Sequence, residues 1–209
     1  MKFDIVTLFP KMFEGVFGES IIKRAIKKNI IEIKTHDMRQ WAWNSYGAVD
    51  DKPYGGGVGM LIRVDVIDKA IKNIKKNKNT RIILTSARGK KFTQRDAERL
   101  GKYENLIIIC GHYEGFDERI NSLVDEEISI GDYVLTGGEI PAMVMIDSVA
   151  RLLPGVLGKD VSSKEESHST EGYIEYPQYT RPEAYDGKKV PEVLLSGDPK
   201  KITTWQKQQ

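Results

Sequence analysis

Three glycine-rich segments hold most of the residues whose types and spacing could do chemistry. The first runs from Val49 through Asp50-Asp51-Lys52-Pro53-Tyr54 to Gly55-Gly56-Gly57-Val58-Gly59-Met60. Glycines at that density free the backbone for positive φ and let a flat or anionic ligand approach its N–H groups closely. The paired carboxylates Asp50 and Asp51 would repel a phosphate but could accept hydrogen bonds from the edge of a nucleobase. No Gly-Lys-Ser/Thr follows, so this is not a phosphate-binding P-loop, and the spacing and preceding strand of a dinucleotide fingerprint are missing too. The ordinary alternative is a hairpin tip.

The second segment, Cys110-Gly111-His112-Tyr113-Glu114-Gly115-Phe116-Asp117-Glu118-Arg119, follows an aliphatic run directly. Loops at the carboxyl ends of parallel strands are where α/β proteins bind ligands. His112 has the chemistry of a general base and Cys110 that of a nucleophile, yet no orienting partner is visible, and a cysteine closing a buried strand is expected to pack. Glu114, between Gly111 and Gly115, is the better ligand contact. Asp117, Glu118 and Arg119 also fit a helix start with its charges arranged for the dipole.

The third, Ser129-Ile130-Gly131-Asp132-Tyr133-Val134-Leu135-Thr136-Gly137-Gly138-Glu139-Ile140-Pro141, reads as a short strand interrupted by Gly131 that ends at a glycine pair before a helix. Such a turn offers backbone donors and acceptors to an adenine-like or carboxylate-bearing ligand, or it is simply a tight connection. Beyond it, Asp147 and Arg151 lie four apart on an apolar helix. They suit a surface ion pair, or an arginine placed at a helix end to neutralise charge developing on a substrate oxygen. Glu165, Glu166 and His168 sit in a polar stretch where carboxylates are ordinarily just solvated.

The elements that must position these loops are legible as alternation. Aliphatic runs at Phe3 to Phe9, Ile30 to Ile33, Arg81 to Leu84 and Leu106 to Ile109 suit buried strands of a parallel sheet. Between them Ile67, Ala70, Ile71 and Ile74 mark one face of a helix, and Thr93 is a candidate N-cap for a helix through Ala97 and Leu100. A further apolar helix is expected from Ile140 to Leu153, with Pro141 in its first turn and Pro154-Gly155 as the stop. The expected class is therefore α/β with crossover helices. The domain reading is 1–158 as the main unit, 159–172 as a polar linker, and 173–209 as a small C-terminal unit too short for a large core of its own.

The chain has 209 residues, 40% hydrophobic and 30% charged, which excludes a disordered tail or a fibrous protein. A single cysteine excludes disulfide frameworks and cysteine metal clusters, and the absence of an N-terminal signal pattern or long apolar run places the protein in the cytoplasm. With 32 Lys+Arg against 30 Asp+Glu, the formal charge is only +2. Nucleic-acid binding by bulk charge is excluded, so any such site rests on local patches such as Lys72, Lys75, Lys76 and Lys78.

Taken in register, Asp50 to Gly57, Cys110 to Gly115, Ser129 to Leu135, Gly137-Gly138-Glu139 and Tyr179-Thr180-Arg181-Pro182 make the chain resemble the bacterial tRNA (guanine-N1) methyltransferases that modify guanine 37, a branch of the SPOUT superfamily. The resemblance implies a trefoil-knotted parallel sheet, a small helical C-terminal tRNA-binding domain, a homodimer, S-adenosylmethionine as donor and a tRNA anticodon loop as substrate. It assigns the donor to Leu84, Thr85, Ser86, Gly111, Glu114, Ser129, Ile130, Gly131, Tyr133, Leu135, Gly137, Gly138 and Pro141. It assigns the tRNA to Asp50, Tyr54, Gly55 and Gly59. Magnesium is the one metal it admits, with Glu114 the first ligand to consider.

N1 of guanine carries a proton, so methylation needs that proton removed and the charge appearing on O6 stabilised. By motif position the resemblance gives the first task to Glu166 and the second to Arg151. Glu166 stands where the family has an aspartate, and its neighbour Glu165 competes for the role. Ala87-Arg88 replaces a common Pro-Gln pair, and the chain ends before the helices that usually complete the C-terminal domain. An RNA-binding protein of this fold with reduced catalysis, or a methyltransferase acting on another base, are the competing readings.

Overall fold

The computed structural model describes residues 1–157, 166–170 and 172–208. They fall into two compact units, Met1–Asp160 and Val161–Gln209. The first is built on a five-stranded parallel sheet of β1 (Lys2–Thr7), β2 (Glu32–Asp37), β5 (Thr80–Lys91), β6 (Asn105–Ile109) and β7 (Glu126–Ser129), in the order β2-β1-β6-β5-β7. A separate two-stranded hairpin pairs β3 (Asp50–Asp51) with β4 (Leu61–Ile62).

Period-two alternation divides the core between the two faces of the sheet. Phe3, Ile5, Leu106 and Ile108 face α1 (Met12–Phe17), α2 (Ser20–Lys27), α4 (Gln94–Leu100) and α5 (Glu139–Ala150). Val6, Ile107 and Ile109 face α3 (Val64–Asn73), where Val66, Ile67, Ala70 and Ile71 form the buried stripe. Both faces of β6 are therefore covered, which is why its sequence is aliphatic throughout. Thr93 caps α4 in a reciprocal box: its hydroxyl accepts from the Asp96 N–H, and the Asp96 carboxylate accepts from the Thr93 N–H at 3.2 Å.

Three elements differ from expectation. The edge strand β2 occupies Glu32–Asp37 rather than Ile30 to Ile33, because its outer residues are polar and the aliphatic run only leads into it. The strand expected across Ser129 to Leu135 instead precedes it as Glu126–Ser129, and Ile130 to Gly137 is loop. Glu126 disguises this strand: it accepts from Arg81 at 2.8 Å and from Arg99 at 2.7 and 3.0 Å, so a carboxylate is satisfied on a sheet edge. Finally, α5 begins at Glu139 and ends at Ala150, with Arg151 as its C-cap.

β5 is interrupted at the site. Thr85 and Lys90 both lie opposite Ile128, so Ser86 to Gly89 leave the sheet and return to it. Glycine is required at the return, since a Cβ on Gly89 would fall 2.5 Å from the Ile128 nitrogen. In the second unit, the described residues form the small hairpin β8 (Ala184–Tyr185) and β9 (Lys188–Lys189), then α6 (Glu192–Leu195) and α7 (Pro199–Gln206). Asp198 caps α7 through the amides of Lys200 and Lys201. Trp205 lies against the rings of Tyr176 and Tyr179 there.

Candidate active site

A pocket of about 440 Å³ opens at the carboxyl ends of β5, β6 and β7, within the range of small-molecule sites. Three loops wall it, and the side chain of Thr85 holds them together. Its hydroxyl donates to the Ile109 carbonyl at 3.0 Å and accepts from the Gly111 amide at 3.2 Å. The Gly138 amide closes the set by donating to the Gly111 carbonyl at 2.8 Å. Side chains are excluded from this seam: a Cβ on Gly138 would sit 2.0 Å from Thr85 Oγ1, and one on Gly111 would sit 2.8 Å from the Phe116 ring.

α5 is fixed beneath the pocket by a buried contact, the Thr7 hydroxyl donating to Glu139 Oε1 at 2.7 Å. On the third loop, Ser129 donates to the Gly131 carbonyl at 3.0 Å, and the Tyr133 hydroxyl donates to the Ile130 carbonyl at 3.3 Å. Every residue that the resemblance assigned to the donor, from Leu84 to Pro141, lines this one pocket. Sequence reasoning missed others beside them. Glu127 was hidden in an unrecognised strand, and Phe116 gave no signal beyond its place after Gly115.

The walls carry Glu114, Asp117, Glu118 and Glu127 against a single guanidinium, Arg88, which donates to Glu118 at 2.8 Å. Asp117 is also ion-paired with Arg119 at 2.6 Å and Glu127 lies 4.0 Å from Arg88, so most of this acidic charge is already compensated. Two buried polar atoms of lining residues, Glu127 Oε1 and His112 Nδ1, have no hydrogen-bond partner among the described residues, although Arg88 Nε lies 4.0 Å from the former. His112 is wedged between the rings of Phe9 at 4.9 Å and Tyr113 at 5.1 Å. Cys110 is buried, and burial, with the Glu139 charge second, pushes its thiol well above the usual range, so it packs and does not react.

The glycine hairpin leans on this pocket. The Glu114 amide donates to the Met60 carbonyl at 3.1 Å and the Ile62 amide to the Gly115 carbonyl at 2.9 Å. Gly59 takes φ +87°, and a Cβ there would fall 2.2 Å from Glu114 Cγ, so only glycine allows the approach. Asp50 lies on β3, while Tyr54 and Gly55 are exposed at the turn. Asp117 proves to be a cap, accepting from the Arg119 amide at 3.0 Å at the start of a 3-10 turn over Glu118–Ser122, although Asp117 and Glu118 line the pocket as well.

Arg151 belongs to the first unit, where its amide closes α5 on the Asp147 carbonyl at 3.1 Å. Glu166 belongs to the second and opens a turn closed by the Ser169 amide on its carbonyl at 3.0 Å. Glu165 lies outside the described residues. No group of three His, Cys, Asp or Glu side chains is placed to hold a metal ion among the described residues.

A parallel α/β sheet with a glycine-walled pocket at its strand ends defines the small-molecule-binding architecture of an α/β protein. Its sequence matches the family described as tRNA (Guanine-1)-methyltransferase TrmD over residues 1–209, and the chain belongs to that family. It is 56% identical over 210 residues to the tRNA (guanine-N(1)-)-methyltransferase of Carboxydothermus hydrogenoformans, covering 100% of this chain and 82% of the relative. It is 53% identical over 211 residues to that of Citrifermentans bemidjiense, covering 100% and 84%. The Bacillus subtilis protein of the same name is 53% identical over 208 residues, covering 98% and 85%. No described helix is long and apolar enough to cross a membrane.

Proposed function

We propose that the chain is a tRNA (guanine-N1) methyltransferase that transfers a methyl group from S-adenosylmethionine to N1 of guanine 37 in the anticodon loop. The observation that carries this is the pocket itself: the seam of Thr85, Gly111 and Gly138, in a chain that matches the family from end to end. The donor, when bound, supplies an electrophilic methyl on a sulfonium. The chain's residues do the rest. The glycine seam holds the flat part of the donor against backbone groups, and the carboxylate of Glu114 favours its positive charge over the neutral product.

On the acceptor side, Asp50 and the hairpin glycines Gly55 and Gly59, with Tyr54, receive the guanine and its neighbours. Glu166 takes the N1 proton, and Arg151 stabilises the negative charge that then gathers on O6. The small second unit carries tRNA contacts, and the enzyme works as a homodimer in the cytoplasm. Support for the dimer comes from α5, which leaves Ile140 and Val144 exposed, and from its neighbour α1, which leaves Met12 and Val16 exposed.

The test is transfer of labelled methyl from S-adenosylmethionine to an unmodified tRNA transcript with guanines 36 and 37, beside one lacking guanine 37. Label only in the first supports reaction and target together. Label in neither, with donor binding retained in calorimetry, sinks the catalytic reading in favour of RNA binding alone. For the dimer, sedimentation of Val144→Lys should show monomers where the parent chain sediments as a pair.

A further inference from the structure

Beside the glycine hairpin stands a pair of side chains that the methyl-transfer reading does not use. The Arg63 guanidinium lies 4.8 Å from the centre of the Trp43 ring, close enough for a cation–π contact. Arg63 is itself held on two sides. Its Nε and Nη2 donate to the two oxygens of Asp65 at 2.9 and 3.2 Å, and its Nη1 donates to Asp51 at 3.0 Å. A guanidinium fixed by three such bonds fixes the ring that rests on it.

The backbone reinforces this. The Trp43 amide donates to the Ala48 carbonyl at 3.1 Å and the Arg63 amide to the Val49 carbonyl at 3.0 Å, so both residues are anchored to consecutive residues at the end of one short loop. Within it, the Asn44 side chain accepts from the amides of Tyr46 and Ala48 at 3.1 and 3.0 Å. The indole nevertheless remains 45% exposed. An indole this size, locked from below and open to solvent, gains nothing for folding by its exposure. It is a rigid aromatic surface prepared for a flat partner.

We propose that Trp43, seated on Arg63, is a stacking platform for an unpaired nucleobase of the tRNA anticodon loop next to the target guanine. The inference rests on the tRNA-methylation reading and deepens it. Continuity with the candidate site selects this occupant. Val49, which accepts from Arg63, precedes Asp50, and Ile62, which precedes Arg63, is bonded to Gly115 in the pocket wall. A base lifted out of the loop so that its neighbour enters the pocket must leave its own stack, and an aromatic face replaces it. The local charge favours a base rather than a phosphate as the thing touched, since Asp51 and Asp65 both hold the guanidinium.

The test compares the parent chain with Trp43→Leu, which keeps an apolar side chain on Arg63 but removes the π face, and with Trp43→Phe, which restores one. Three quantities are read: KM for tRNA, donor affinity by calorimetry, and fluorescence of an anticodon stem-loop with 2-aminopurine beside the target guanine. Trp43→Leu should raise tRNA KM about tenfold, more than it lowers kcat, with donor affinity unchanged. Trp43→Phe should recover most of the loss. The parent chain should quench 2-aminopurine on binding, and Trp43→Leu should not.

An unchanged tRNA KM and undiminished quenching in Trp43→Leu overturn the platform while leaving methylation standing. Should the parent chain methylate no tRNA, the functional reading fails instead, and quenching of the stem-loop still decides whether the ring stacks on a base. A Trp43→Leu change that weakens self-association in sedimentation, with RNA binding intact, would assign the ring to a second copy of the chain and likewise overturn the proposal.

Discussion

Gly138 and Thr85 meet so closely that a Cβ on Gly138 would stand 2.0 Å from the Thr85 hydroxyl oxygen. That hydroxyl already joins β5, β6 and the Gly111 loop, so it cannot move aside without breaking two hydrogen bonds. Gly138→Ala is therefore expected to destabilise the first unit by about 1–3 kcal/mol through overpacking. Donor affinity should fall with it, by roughly tenfold for each 1.4 kcal/mol lost at the seam. Urea unfolding and calorimetry measure the two effects, and wild-type values for both would mean that the seam is looser than its geometry.

How much of this was legible in the sequence depended on whether burial left a signature. β6 was plain because both of its faces are covered, so Leu106 to Ile109 had to be aliphatic. β7 was not: the partners that let carboxylates sit in a strand, Arg81 and Arg99 for Glu126 and Arg88 at 4.0 Å for Glu127, are a tertiary fact. The glycines of the pocket advertised a close backbone approach, but not that Thr85 was what they approached. Likewise nothing in the sequence joins Asp4 to His36, which form a buried pair across β1 and β2.

Arg151 at the end of α5 is assigned to the guanine oxygen, where charge appears only as the N1 proton leaves. Arg151→Ala should lower kcat by about 10²–10³-fold, the usual scale for removing one such donor. Donor affinity should stay near that of the parent chain, because the lining of the pocket does not include Arg151. Single-turnover methylation beside calorimetry separates these quantities. A parent-like rate would return the residue to a purely helix-ending role.

Glu166 is assigned the N1 proton, and the amide of Glu166→Gln cannot take it. Methyl transfer should drop by at least about 10²-fold, the lower end of what a general base contributes. Glu166→Asp should retain measurable activity, since it keeps the carboxylate while moving it by one methylene. If Glu165→Gln abolishes transfer and Glu166→Gln does not, the proton goes to the neighbouring carboxylate instead.

At the opposite end of β1 from the pocket, Asp4 is buried among charged partners. It lies 2.8 Å from His36 Nε2, 3.0 Å from Lys2 Nζ and 3.2 Å from Asn105 Nδ2. Burial alone would push its carboxyl up, but the hydrogen bonds from His36, Lys2 and Asn105 outweigh it and hold the group below its ordinary 3.8. A carboxyl that ionises more readily folded than unfolded stabilises the fold above its unfolded value, and that contribution is lost as pH falls through the folded one. Asp4→Asn should accordingly cost about 1–3 kcal/mol at pH 7, as expected when a buried hydrogen-bond acceptor is lost to its partners. The deficit should begin to shrink below about pH 3.8, where the unfolded chain's carboxyl takes up its proton, and should be lost once pH falls through the lower folded value. Urea melts of both proteins at neutral and acid pH read this directly, and a deficit that stayed constant with pH would show that Asp4 acts by packing and not by charge.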